Sequence, residues 1–284
     1  MRLGNLHTRA GIKPVGVRDG QLLELGASVR ELLGRGPGAI KAAMAAAQRS
    51  HPLEESRLAP AVLRPGKVLC IGKNYADHAE ELGGVAPGKP EVFMRAWTSL
   101  CGPYQPVARP HISQMMDYEV ELAVVIGKPG RYVPAGRALD HVGGYCVFND
   151  ISIRDFQNFG QQWTPGKNFD GLGPLGPWVV TPEEVPDPHN LELTTRVITA
   201  EGKEEVLQQS STGRMVHRIA DLISYLSLFT TLEAGDVIAT GTPSGVAMAR
   251  QPQRWLTPGE TVVCRVDGLG ETRNLVVAEA RPNP

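Results

Sequence analysis

The sequence predicts a β-rich α+β fold with a small N-terminal α/β portion, and three observations carry that prediction. Short apolar segments recur from Lys67 to Val277, divided by turns, in a chain that holds 32 glycines and 23 prolines. Only Met215–Phe229 is long enough, with Ile219, Leu222, Ile223 and Leu226 at helical spacing, to form a substantial helix. No regular alternation of strand and helix appears, which argues against a doubly wound parallel sheet.

The first ~65 residues differ in character from the rest, so the expected division is a small domain over 1–65 and a larger one over 66–284. In the first, Val15-Gly16-Val17 and Leu22-Leu23-Glu24-Leu25 flank an Asp19-Gly20 turn and suggest a hairpin. Val29–Leu33 and the alanine-rich Ile40–Gln48 suit short helices. In the second, Lys67–Ile71 reads as a buried strand, Tyr75–Leu82 as a short helix and Glu91–Met94 as a strand. A strand over 117–126 follows, then Gly143–Phe148 running into Asn149-Asp150. Gly160–Gly176, rich in glycine, proline and aromatics, reads as a long functional loop. Trp178–Val180, Leu191–Val197 and Val206–Leu207 continue the strands. Thr212 is a candidate cap for the long helix, and Val237–Thr240, Thr261–Val266 and Asn274–Val277 close the chain.

Composition narrows the function. The 284 residues are 42% hydrophobic and 21% charged, ordinary for a soluble globular protein. A formal net charge of −1 gives no electrostatic reason to expect nucleic acid or an anionic membrane as partner. No run approaches the ~18 apolar residues of a membrane span, and Met1-Arg2-Leu3-Gly4-Asn5 lacks the apolar stretch of a signal peptide. Cys70, Cys101, Cys146 and Cys264 form no C-x-x-C pair, so reduced, buried thiols in the cytoplasm are expected.

The segment Asp117-Tyr118-Glu119-Val120-Glu121, continuing into Leu122–Ile126, carries most of the chemistry. On a strand, Tyr118, Val120, Leu122, Val124 and Ile126 share one face, and Asp117, Glu119 and Glu121 share the other. Carboxylates on one face repel unless a cation or buried base compensates them. Oxygen donors without nearby His or Cys favour Mg²⁺ or Mn²⁺ over zinc. A bare E-x-E is more often a solvated strand face. Asp150, at the end of another strand, would complete a three-carboxylate set and leave about three octahedral positions open for catalysis.

Other candidates surround this set. Lys167, within Thr164–Asp170 and flanked by Phe159, Trp163 and Phe169, can support a developing oxyanion. His78 and Glu81 lie three apart and share a helix face, the spacing of an imidazole base oriented by a carboxylate. Gly83-Gly84 and Pro87-Gly88 after them suit a closing lid. Gly241-Thr242-Pro243-Ser244-Gly245 can present amides and the Thr242 hydroxyl to an anionic group, but lacks the lysine of a P-loop.

Five motifs in one order, Gly72–His78, Asp117–Leu122, Asn149-Asp150 with Arg154-Asp155, Pro165–Asp170 and Gly241–Val246, resemble the fumarylacetoacetate hydrolase family from about residue 66 onward. The resemblance implies a mixed β-roll catalytic domain with a small N-terminal domain, usually as a homodimer. It implies Mg²⁺ or Mn²⁺ on Glu119, Glu121 and Asp150, with His78, Glu81 and Lys167 as catalytic groups. Tyr75, Arg154, Gln157 and Thr242 are the implied substrate contacts. Arg95 stands where many members have lysine, Ala247 where glycine is frequent, and Asn168 where serine is common. The expected substrate is a small 2-oxo acid bound through its carboxylate and 2-oxo oxygen. The leading expectation is hydrolytic C–C cleavage of an acylpyruvate through a metal-stabilised enolate. The alternative is decarboxylation or isomerisation of an oxaloacetate-like or dienol acid, and the remotest is a non-catalytic metal-binding scaffold.

Overall fold

The computed structural model describes residues 1–280, and the architecture is strand-rich α+β. A twelve-stranded sheet forms its spine. Its middle runs, in spatial order, Arg2–Thr8, Gly173–Val180, Val142–Asn149, Val120–Ile126, Val237–Ala239, Val68–Gly72 and Glu91–Arg95. All these pairings are antiparallel except that of Val237–Ala239 with Val68–Gly72. A five-stranded sheet, Glu204–Ser211, Glu192–Ile198, Thr261–Val266, Gly270–Ala278 and Val107–Arg109, packs beside it.

Strand Val120–Ile126 lies at the centre because both its faces are apolar beyond Glu121, as a strand buried on two sides requires. Tyr118, Val120, Leu122, Val124 and Ile126 enter one core together with the helix residues Ile219, Leu222, Ile223 and Leu226. Ala123 and Val125 enter a second core on the opposite face, with Leu3, Leu32, Leu33, Phe148 and Val179. The predicted alternation therefore holds. The carboxylate-bearing face is polar only at its start, where it becomes the site.

Residues 1–65 extend the large sheet. Leu3 pairs with Val179, and Gly11–Arg18, Gln21–Glu24 and Ser50–Pro52 continue outward from Arg2–Thr8. The expected hairpin is thus part of a meander whose first strand, broken by Gly4 and Asn5, has too weak a pattern to announce itself. Helices form at Val29–Arg35, capped by Ser28 and Glu31, and at Pro37–Ala45.

Three boundaries differ from expectation for physical reasons. The 117–126 strand is two: Met116–Asp117 pairs with Ser152–Ile153, while Val120–Ile126 pairs with Val142–Asn149. The long helix begins at Ile219, where Asp221 accepts a bond from the Arg218 amide; Thr212 sits in a separate 3-10 turn and bonds Leu191. The Gly160–Gly176 loop contains a short helix, Thr164–Lys167, and the start of strand Gly173–Val180. All four cysteines are buried and free, and no described helix is long and apolar enough to cross a membrane.

Candidate metal centre and active site

Backbone pairing brings the three carboxylates together. Val120 pairs with Asn149, and one step further the Asp150 amide donates to the Glu119 carbonyl at 2.9 Å. Glu119 and Asp150 are thus neighbours across the ladder, and Glu121 follows on the same face as Glu119. One oxygen from each of Glu119, Glu121 and Asp150 lies within 4.8 Å of the others, and all three residues are buried. The donor set is all oxygen, which fits a hard divalent ion.

Cations bind two of the three tightly. Lys167 Nζ donates to Glu119 Oε2 at 2.7 Å and to Asp150 Oδ2 at 2.8 Å. Arg154 Nη2 donates to the other Glu119 oxygen at 2.6 Å, and Arg95 bonds Asp150 Oδ1. Glu121 has only the Gly241 amide, at 2.9 Å. The consequences are opposite. Burial pushes the Glu119 carboxyl up, but Lys167 and Arg154 outweigh it and bring it down to about 2. Burial, reinforced by Asp150 and Glu119, holds Glu121 well above the usual carboxylate range. Burial works against the Lys167 ammonium, yet Asp150 and Glu119 raise its pKa and keep it charged. Glu121 is therefore the carboxyl of the three that lacks a cationic partner, and a divalent ion would favour its ionised form.

Asp117 proves to be a positioning group, apart from the carboxylate trio. It accepts from Arg154 Nε at 2.8 Å and from the amides of Ala247 and Met248 at 2.7 and 3.2 Å. Arg154 Nη1 also donates to Gln157 Oε1 at 2.8 Å, so one guanidinium ties Asp117, Glu119 and Gln157 into a single network. Gly166 lets helix Thr164–Lys167 close on this network: a Cβ there would lie 2.5 Å from the Gln157 backbone nitrogen. That approach is what buries Lys167.

The dyad is formed. His78 Nδ1 and Glu81 Oε1 are 2.7 Å apart on helix Ala76–Glu81, and Glu81 Oε2 accepts from the Gly245 amide at 2.8 Å. Asp77 accepts from Ser244 Oγ at 3.1 Å, which docks the helix on the 241–245 loop, and His217 Nε2 meets the Pro87 carbonyl at 2.9 Å beyond it. Thr242 Oγ1 donates to the Val120 carbonyl and accepts from Gln208 Nε2, each at 2.9 Å.

A cavity of about 240 Å³ joins these parts. His78, Glu119, Glu121, Asp150, Arg154, Gln157, Lys167 and Thr242 all line it. Tyr75 is not among its lining residues: it is wholly buried in the core and its hydroxyl has no partner. Arg95 and Asn168 also stay outside, Arg95 behind Asp150 and Asn168 bonded to the Ala96 amide at 2.6 Å. Of the three aromatics near Lys167, only Trp163 reaches the cavity; Phe169 packs on Phe156, and Phe159 is exposed. The sequence reading missed Lys73, Leu82, Phe93, Asn158 and Met248 as lining residues. Lys73 alone carried a signal, its place beside Asn74 in the first motif.

A family model described as fumarylacetoacetate (FAA) hydrolase C-terminal matches residues 67–277. The human protein named "Oxaloacetate tautomerase FAHD2A, mitochondrial" is 46% identical over 226 residues, covering 79% of this chain and 70% of its own. That name includes a mitochondrial location and lends no support to the cytoplasmic expectation. Fumarylacetoacetate hydrolase from psychrophilic Exiguobacterium antarcticum superimposes with a TM-score of 0.84 at 34% identity, covering 98% of this chain and all of that one. A structure titled 5-carboxymethyl-2-hydroxymuconate delta-isomerase, from Mycobacterium smegmatis, gives 0.81 at 36% identity with the same coverage. The chain belongs to the fumarylacetoacetate hydrolase family.

Proposed function

We propose that this chain is a divalent-metal-dependent isomerase of oxaloacetate-like 2-oxo dicarboxylic acids, interconverting their keto and enol forms, with decarboxylation of the same acids as a related activity. The observation that carries this is the convergence on one cavity of the carboxylate trio, the buried Lys167 and an imidazole held by Glu81. The tautomerase and isomerase named among the similar proteins support it. Glu119, Glu121 and Asp150 would hold Mg²⁺ or Mn²⁺, which when bound would supply Lewis-acid polarisation of the 2-oxo group.

Keto–enol interconversion takes a proton from C3 and delivers one to the oxygen on C2. His78 is suited to move it, because Glu81 occupies Nδ1 and leaves Nε2 as the ring nitrogen available to substrate. Gly245 fixes Glu81 in turn, which keeps the imidazole in one orientation. As the C3 proton leaves, negative charge grows on the C2 oxygen. Lys167, charged and buried, offers a fixed positive charge beside that developing oxyanion. Leu82, Phe93, Trp163 and Met248 give the cavity apolar walls.

Acylpyruvate hydrolysis would use the same groups but require His78 to activate water toward a second carbonyl. It has less support, since the 46% identical relative is named a tautomerase. The test follows enol-oxaloacetate by its ultraviolet absorbance with Mg²⁺ and with EDTA, alongside CO₂ release from oxaloacetate and pyruvate release from acylpyruvates. The expected result is metal-dependent enol loss as the fastest reaction. Acylpyruvate cleavage as the fastest would overturn the proposal in favour of the hydrolase.

A further inference from the structure

One cation in the cavity is not engaged by the site's own carboxylates. Arg154 and Lys167 are committed to Asp117, Glu119 and Asp150, whereas Lys73 meets Glu91, with Nζ 3.3 Å from Oε2. Those two side chains are 34% and 40% exposed, so the pair is weak and readily exchanged. Lys73 also has φ +53°, in the left-handed region that side-chain-bearing residues seldom adopt. Such an outlier on a cavity wall points to function. The wall beside it is closely built. Trp163 lies so near Gly72 that a Cβ there would be 2.3 Å from its ring, and the Lys73 ammonium is 5.7 Å from the indole centroid.

Charge supplies the second argument. With all four carboxylates ionised, as metal binding requires, Asp117, Glu119, Glu121 and Asp150 set against Arg95, Arg154 and Lys167 leave a single negative charge among these buried groups. A divalent ion turns that into a single positive charge, which matches one substrate carboxylate. A second carboxylate needs a further cation, and of the described residues lining the cavity Lys73 is the one not already held by the site. We infer that Lys73 is a specificity-determining residue that selects 2-oxo dicarboxylic over 2-oxo monocarboxylic acids. Its ammonium exchanges Glu91 for the distal carboxylate, and Trp163 supports it. The inference rests on the 2-oxo acid function proposed above.

The test titrates 2-oxoglutarate and 2-oxopentanoate, which share a backbone and differ in the distal group, into Mg²⁺-loaded protein by calorimetry. Oxalate, without any distal group, is the control. Wild type is expected to prefer 2-oxoglutarate. Lys73→Met should shrink that preference about tenfold or more, the worth of a charge-assisted hydrogen bond. Lys73→Arg should keep most of it, and oxalate should bind both variants as it binds wild type. A preference that survives in Lys73→Met, or an equal loss for all three probes, overturns the role of Lys73. Wild-type protein that binds both acids without preference overturns the selectivity itself. Wild-type protein that binds neither acid nor oxalate overturns the underlying 2-oxo acid function.

Discussion

Replacing Lys167 by Met separates the electrostatic role of this lysine from metal binding. Two charge-assisted bonds, 2.7 Å to Glu119 and 2.8 Å to Asp150, disappear, while the side-chain volume stays similar. Removing one partner of a buried pair typically costs about 3–5 kcal/mol, because the remaining charges lose compensation. At roughly 2 °C per kcal/mol for a chain of this size, the metal-free variant should melt about 6–10 °C below wild type. The same loss makes the cradle more negative, so Mg²⁺ should bind the variant more tightly and recover much of that deficit. Turnover should still fall by about 10²–10³, the usual loss when an oxyanion-stabilising donor is removed. The assay is thermal unfolding with and without Mg²⁺, paired with metal titration and enol-oxaloacetate turnover. A variant that melts like wild type without metal, or whose Mg²⁺ affinity falls along with its activity, would refute this account of Lys167.

Other outcomes follow from the same geometry. His78→Ala should slow tautomerisation by ~10²–10⁴ and leave Mg²⁺ affinity unchanged, since His78 is outside the carboxylate trio; calorimetry beside kinetics checks both. Glu121 is held well above the usual carboxylate range by burial, Asp150 and Glu119, so the metal-free fold favours its protonated form. This raised pKa stabilises the metal-free fold fully below the ordinary carboxylate range, and the contribution fades as pH rises through the folded value. Mg²⁺ binding should therefore release a proton, and its affinity should rise with pH above the ordinary carboxylate range; a flat profile by calorimetry in several buffers would count against it. Gly72→Ala places a Cβ 2.3 Å from Trp163 and should quench or shift tryptophan fluorescence while raising the substrate KM; an unchanged spectrum and KM would deny the close wall.

Much of the site was legible because its determinants are local. Alternation along 117–126 put Glu119 and Glu121 on one face, and three-residue spacing put His78 beside Glu81. What sequence could not distinguish was Asp117 from its neighbours. All three carboxylates share a parity, and only the break between Met116–Asp117 and Val120–Ile126 turns Asp117 toward Arg154 and the Ala247 amide. The surroundings of Tyr75 were hidden for a similar reason: the turn into helix Ala76–Glu81 sends its ring into the core while His78, three residues on, reaches the cavity. Long-range packing was equally hidden. Nothing in the spacing of Phe93, Trp163 and Gly72 says that they meet, because the contact joins residues far apart in the chain, with Trp163 against both Phe93 and Gly72. The first strand, Arg2–Thr8, gains its place from pairing with Gly173–Val180, where Leu3 meets Val179 across a sequence separation invisible to any local pattern.

The central claim is that this cavity moves a proton at C3 of an oxaloacetate-like acid without breaking its carbon skeleton. The most direct measurement is proton NMR of oxaloacetate in D₂O with wild-type protein, Mg²⁺ and a no-enzyme control. Metal-dependent acceleration of deuterium entry at C3, with the four-carbon skeleton retained on that timescale and the acceleration absent from His78→Ala, is the predicted result. Exchange no faster than in the control, or an acceleration that persists unchanged in His78→Ala, would contradict it.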